Sequence, residues 1–231
     1  MNFKDKIVLI LGGTGGIGSS VANSFEENGA VVCRHSLNSG EYKADLNSSE
    51  ETKNLIDKIL NKYKKIDIVV NSISASVENK DFEKKTWSDF TKHLNLQLKA
   101  SVETTQCILP TMKKHGSGKI INIGTVYVNG ETPPGLSDYL TAKYALLGLT
   151  KSMAKELGKY NITVNCVSPS FIKNNFTKQY PEKLSEIITH QTPLGRLATE
   201  KDIAGTVLFL ASEAADFITG ENINVAGGSN L

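Results

Sequence analysis

The feature that most constrains this chain is an aliphatic run that ends in glycine and passes at once into a helical pattern. Lys6–Leu11 reads KIVLIL, and Gly12-Gly13-Thr14-Gly15-Gly16-Ile17-Gly18 follows it. A run without polar alternation suits a strand buried on both faces, as happens when helices cover both sides of a parallel sheet. Glycines at its end let the chain turn tightly and let backbone N–H groups approach a diphosphate at the N-terminus of the next helix. That helix is expected over Gly16–Asn28, with Gly29 ending it.

The same alternation continues to the C-terminus. Ala30–Arg34 reads as a second strand, and Asn38-Ser39-Gly40 turns into a third, Glu41–Leu46. Ser48 or Ser49 caps a helix running to about Lys64, with Glu51 favourable in its first turn. Ile66–Asn71 is the fourth strand, Trp87–Lys114 a long helix with Pro110 near its end, and Lys119–Gly124 the fifth strand. A helix over Tyr139–Lys159, a strand over Ile162–Val167, a helix over Glu200–Ser212 and a strand over Asn222–Val225 complete the series. Such β-α repetition predicts an α/β, Rossmann-type, doubly wound parallel seven-stranded sheet with helices on both faces. The expected organisation is one dinucleotide-binding domain over residues 1–231, with a substrate-loop insertion at about 170–195. Two connections, Val126–Asp138 and Ser170–Gly195, read as irregular, and long loops on a rigid scaffold tend to carry function.

Composition narrows the function classes. With 231 residues there is room for one such domain and little more. A net charge of +2 without a basic run argues against a nucleic-acid or membrane partner. The N-terminus lacks a signal-peptide core, and Cys33, Cys107 and Cys166 are far apart in apolar segments, so a reducing, cytoplasmic setting is expected. No metal is expected, because His35, His93, His115 and His190 have no ligand spacing among themselves or with cysteine.

The chemistry is expected in Ser137-Asp138-Tyr139-Leu140-Thr141-Ala142-Lys143. Tyr139 and Lys143 are four residues apart and share one helix face. A phenol titrates near pH ~10 when unperturbed, and a neighbouring ammonium favours the phenolate, which makes the pair a candidate acid/base device. By itself such a tetrad is common in helices; the glycine-rich turn gives it weight.

Together these motifs resemble the short-chain dehydrogenase/reductase family, single-domain type, over nearly the whole chain. Leu11–Gly18 matches the family's T-G-x-x-x-G-x-G turn with Leu11 at the threonine, and Asp45-Leu46 matches its adenine-contacting acid. Asn71-Ser72-Ile73-Ser74 keeps part of N-N-A-G, Asn95 matches the helix asparagine, and Asn122-Ile123-Gly124-Thr125 matches a strand end that usually finishes in serine. Tyr139 and Lys143 match Y-x-x-x-K, Pro169-Ser170 the P-G turn, and Pro193-Leu194-Gly195-Arg196, Thr219-Gly220 and Gly227-Gly228 the tail. The interval from Thr125 to Tyr139 is one residue longer than the family's.

The resemblance implies a reductase or alcohol dehydrogenase similar to 3-oxoacyl carrier-protein reductases, in which hydride comes from a nicotinamide cofactor. Tyr139 would be the acid/base, Lys143 would lower its pKa and bind the nicotinamide ribose, Thr125 would hold the reacting oxygen, and Asn95 would hold a relay water. Gly12, Thr14, Gly16, Ile17, Gly18, Asp45, Leu46, Asn71, Ile73, Pro169, Ile172 and Asn174 would join Tyr139 and Lys143 at the cofactor. The end of the second strand, Cys33-Arg34-His35-Ser36-Leu37-Asn38, has no acid to bond a ribose 2′-hydroxyl, and Arg34, His35 or Ser36 could meet a 2′-phosphate. NADP(H) is therefore expected ahead of NAD(H). Tyr127, Phe171, Phe176 and Tyr180 could line the substrate pocket or pack the lid, and Lys173, Lys178, Lys183 and His190 could meet an anionic substrate or form a solvated face. The expected assembly is a homotetramer or homodimer, with a small carbonyl or alcohol as substrate. The alternative is a nucleotide-binding sensor or scaffold without turnover, suggested by the departures at Leu11, Ser72, Ser74, Thr125 and Ser170. An epimerase would need an added C-terminal region.

Overall fold

The computed structural model describes residues 1–130, 132–173, 177 and 181–229. Seven parallel strands form one sheet in the order β3-β2-β1-β4-β5-β6-β7. They are β1 (Ile7–Leu11), β2 (Val31–Ser36), β3 (Tyr42–Lys43), β4 (Ile68–Asn71), β5 (Gly118–Ile123), β6 (Ile162–Pro169) and β7 (Asn222–Val225). The order reverses between β1 and β4, and in such sheets the crevice at the carboxyl ends of the strands on either side of the reversal takes the ligand.

Period-two side-chain alternation divides each central strand between two cores. Leu9, Leu11, Val69 and Ile120 face one side, where Leu55, Ile56 and Ile59 of α2 (Ser49–Tyr63) and Ile108 and Met112 of α4 (Ala100–His115) meet them. Val8, Ile10, Val70 and Ile121 face the other, against Val21 and Phe25 of α1 (Gly16–Glu27) and Val207 and Leu210 of α7 (Glu200–Ala211). Ser48 caps α2 by accepting a hydrogen bond from the Glu51 N–H, as its sequence suggests. Cys33 and Cys166 are buried and Cys107 half-buried, all three as free thiols.

Four elements differ from the expected pattern. β3 contracts to two residues: before it Glu41 is drawn to α2, where Lys58 and Lys62 donate to its carbonyl and carboxylate, and after it the Asp45 N–H donates to Glu51 of α2. The long helix divides into α3 (Trp87–His93), a π-helical stretch over Leu94–Lys99, and α4. The region taken as an irregular lid contains α6 (Glu182–Gln191), whose first turn begins after Pro181. Helix α5 (Ser137–Leu157) begins two residues before the expected Tyr139. Among the described residues no helix is long and apolar enough to cross a membrane.

Candidate active site

Above the carboxyl ends of the strands lies a cleft of about 970 Å³ that runs from the glycine turn to the N-terminus of α5. Its glycine-turn end is built from backbone. Gly12 has φ +75°, and a Cβ there would come within 2.7 Å of the Ser72 carbonyl oxygen. A Cβ on Gly18 would lie 2.1 Å from the Gly12 oxygen, so turn and helix close on each other only because both are glycines. His35, buried at the end of β2, holds this turn twice: its Nδ1 accepts from the Gly12 N–H at 3.2 Å and its carbonyl accepts from Gly13 at 2.9 Å. The Nε2–H of His35 then donates to the Ala44 carbonyl at 3.0 Å, which requires the neutral ring, and burial pushes its pKa below the usual value.

Gly12, Thr14, Gly16, Ile17 and Gly18 all line the cleft. The first turn of α1 has neither an acidic residue nor a side-chain cap, so the positive end of the helix faces the cleft unopposed. Ser36, Asp45 and Leu46 line the adjoining wall. The Ser36 hydroxyl is 3.1 Å from that of Ser39, while Asp45 Oδ1 accepts from the Asn47 backbone and amide. Arg34 is elsewhere. Its guanidinium pairs with Glu26 at 2.6 Å and with Asn23 of α1, outside the cleft lining.

At the other end, Thr125, Tyr139 and Lys143 converge on the cleft together with Ile73, Pro169 and Ile172. Thr125 follows β5 and is 5% exposed. Lys143 is 4% exposed, its Nζ donates to the Ile123 carbonyl at 2.7 Å, and it lies 5.7 Å from the centre of the Tyr139 ring. Burial pushes the Lys143 ammonium down to about 8. Val77, Leu136 and Leu140 form an apolar wall against Tyr139 and Tyr127. Leu184 and Ile188, one turn apart on α6, close the lid side with Phe171 and Thr177. Lys173 pairs with Glu182, and Lys183 and His190 are exposed on the solvent face of the lid. Asn174, Phe176, Lys178 and Tyr180 lie outside the described residues.

Besides Arg34, two expected site residues are not at the cleft. Asn71 is buried behind it, where its amide donates to Asn122 Oδ1 at 2.6 Å and Ser101 Oγ at 2.9 Å. The Asn122 amide in turn donates to Thr150, so this ladder ties β4 and β5 to α4 and α5. Asn95 is exposed on the outer face of the π-helical stretch. Two residues on, Gln97 is 1% exposed and turns inward, with its amide 3.4 Å from the hydroxyl of cleft-lining Ser74. Sequence reading passes over Gln97 because a π turn shifts which residues share a face, and nothing in the local composition marks the extra residue. The described residues contain no cluster able to hold a metal ion.

A family model described as enoyl-(acyl carrier protein) reductase matches residues 12–230. The chain belongs to the short-chain dehydrogenase/reductase family. It is an oxidoreductase of that family. It is 31% identical to a 3-oxoacyl-(acyl-carrier-protein) reductase of Thermotoga maritima over 99% of both chains. It is 34% identical to the protein of that name in Rickettsia typhi over 99% of this chain and 98% of the other. The corresponding Staphylococcus aureus strain Mu50 protein is 32% identical over 96% and 97%.

Proposed function

We propose that the chain is an NADP(H)-dependent reductase of a 3-oxoacyl thioester or a closely related carbonyl compound. The observation that carries this reading is the joint placement of Tyr139, Lys143 and Thr125 in a cleft whose far end is the glycine turn. The residues fit a dinucleotide: the turn is narrowed to backbone, the α1 terminus opens into the cleft, and the volume is ample for such a ligand. Gly12, Thr14, Gly16, Ile17 and Gly18 would hold the diphosphate, Asp45 and Leu46 the adenine, and Ile73, Pro169 and Ile172 the nicotinamide side. A nicotinamide cofactor bound there would supply the hydride.

Tyr139 would deliver a proton to the carbonyl oxygen as that oxygen gains charge, and would take it back in the reverse direction. Lys143 stabilises the phenolate left behind and stays close through its hydrogen bond to Ile123. The Thr125 hydroxyl would donate to the same oxygen, with its β-branch limiting the rotamers that reach it. The apolar wall of Val77, Leu136 and Leu140 suits an acyl chain and keeps water from the developing charge.

Preference for NADP(H) rests on the end of β2, where Ser36 and Ser39 offer hydroxyls and no carboxylate opposes a 2′-phosphate. Arg34 adds nothing while it is held by Glu26. We assign a lid role to the segment around α6, a cytoplasmic setting to a chain with three free thiols, and a homotetramer or homodimer as the working assembly. The test is NADPH consumption with 3-oxoacyl, 2-enoyl and simple ketone substrates. Turnover is expected on the oxo compounds, with tighter NADPH than NADH binding and a loss of about 10²–10⁴-fold in Tyr139→Phe. Enoyl reduction alone, or cofactor binding without turnover on any carbonyl, would overturn it.

A further inference from the structure

Beneath the candidate phenol lies a buried charged cluster that the reaction just described does not use. The Lys85 side chain is 1% exposed and that of Asp138 5% exposed, with Nζ donating to Oδ1 at 2.7 Å. The ammonium also donates to the Glu78 carbonyl at 3.2 Å, and the same Asp138 oxygen accepts from the Tyr139 N–H at 2.8 Å. Asp138 Oδ2 faces His93 Nε2 at 3.7 Å, and the edge of the His93 ring packs on Tyr139 with centroids 5.8 Å apart. On its far side His93 Nδ1 meets the Gln97 amide at 3.0 Å, and Gln97 reaches Ser74 at the cleft. Among the described residues the buried Gln97 Oε1 has no hydrogen-bond partner. The four residues come from three elements: the turn before α3, the α3–π segment, and the first turn of α5.

A buried ion pair is seldom a net gain in stability over apolar packing, so its place directly before the candidate acid calls for another account. Asp138 sits in the positive first turn of α5 and ties that turn to α3 through Lys85 and His93. Left uncompensated, its charge would oppose ionisation of the neighbouring phenol; Lys85 cancels it. We propose that Lys85, Asp138, His93 and Gln97 form a positioning network that locks the first turn of α5, and so keeps the charge balance at Tyr139 in the hands of Lys143.

The other groups around the phenol fit this balance. Lys143 faces it from α5, and the Cys166 thiol beside Lys143 is pushed up by burial and so stays neutral. From α3, His93 is held below its ordinary pKa chiefly by burial, so it accepts from Gln97 as a neutral ring. Lys92 on the same helix is drawn off to the Ser76 hydroxyl. Thr125, from the strand side, carries no charge.

The proposal rests on the reductase reading, so its first test is free of turnover. Phenolate absorbance is followed with rising pH, and the Tyr139→Phe protein is subtracted to isolate this one ring. Lys85→Met should move its ionisation up by about one pH unit, because Asp138 is left uncompensated, and Asp138→Asn should move it down by about as much. The double variant should return close to the parent, since the two changes remove both charges of one pair. A merely structural pair would give no shift, or shifts of one sign, in the folded single variants, and either result overturns the proposal. Should the single variants not fold, the double variant decides: folded with parental ionisation it supports the network, and displaced ionisation overturns it. The basic limb of kcat/KM should follow the same shifts; phenol shifts without any carbonyl turnover would uphold the network and sink the reductase reading.

Discussion

The two ends of the cleft are built from different materials. At the glycine-turn end the turn and the α1 terminus present backbone, and among the described residues lining it the buried ionisable side chain is His35, bonded to that backbone. At the chemical end the surface toward the phenol is shaped by Lys143, His93, Asp138 and Lys85, all buried and most of them tied to one another. Backbone donors carry no titration of their own, so at that end pH enters through the His35 clip. Buried side chains can set a proton affinity, which backbone cannot, at the cost of strict pairing.

The sharpest way to break the comparison is at the glycine turn. In Gly18→Ala the new methyl would sit 2.1 Å from the Gly12 oxygen, so turn and helix must part. Cofactor affinity should fall on the order of 10²-fold and stability by roughly 1–3 kcal/mol, measured by fluorescence titration and denaturant unfolding. Unchanged affinity would mean that the backbone cradle is not what holds the nucleotide.

The next effect is smaller and lies at the chemical end. Gln97→Ala removes a buried amide from His93 and should lower kcat about tenfold, some 1.4 kcal/mol in the barrier. Asn95→Ala, on the exposed face, should cost far less in the same assay. An equal or larger loss at Asn95 would restore the expectation drawn from the family motif.

The smallest effect sharpens the contrast between the two buried histidines. His35 has its pKa lowered by burial, so the folded state binds fewer protons there than the unfolded chain. Its contribution to stability is present above the ordinary histidine value of 6.5 and is lost as the pH falls below it. His93 behaves alike, so the parent protein carries both terms. In His35→Asn, whose Oδ1 can still accept from Gly12, the melting temperature should decline less steeply on acidification. An identical slope would show that His35 is not a neutral clip on the turn.

The sequence reveals the nucleotide end far better than the chemical end. A glycine run after an aliphatic strand has one economical meaning, and strands β1 and β4 carry short unbroken aliphatic runs of strand length. Tyr139 and Lys143 are legible because a separation of four places them on one helix face. Gln97, Lys85 and His93 are not, since each is an ordinary polar residue until three separate elements bring them beneath Tyr139. Arg34 looks available at the end of β2 but is claimed by Glu26, eight residues earlier on α1. Helix α6 is passed over for a different reason: none of its residues is fully buried, and only Leu184 and Ile188 give it an apolar edge toward the cleft, with Ile187 exposed on the other side.

The π-helical stretch over Leu94–Lys99 has a consequence for how this chain could change. Each residue of an ordinary helix advances about 100° around its axis. Removing one residue there would tighten the stretch to a regular helix and swing everything on its upstream side through that angle relative to α4. His93 would rotate off Tyr139 while Ser101 and Ile108 kept their places on the sheet. A single-codon deletion in this segment would thus leave the layered scaffold standing and disconnect the charged cluster from the ring it supports.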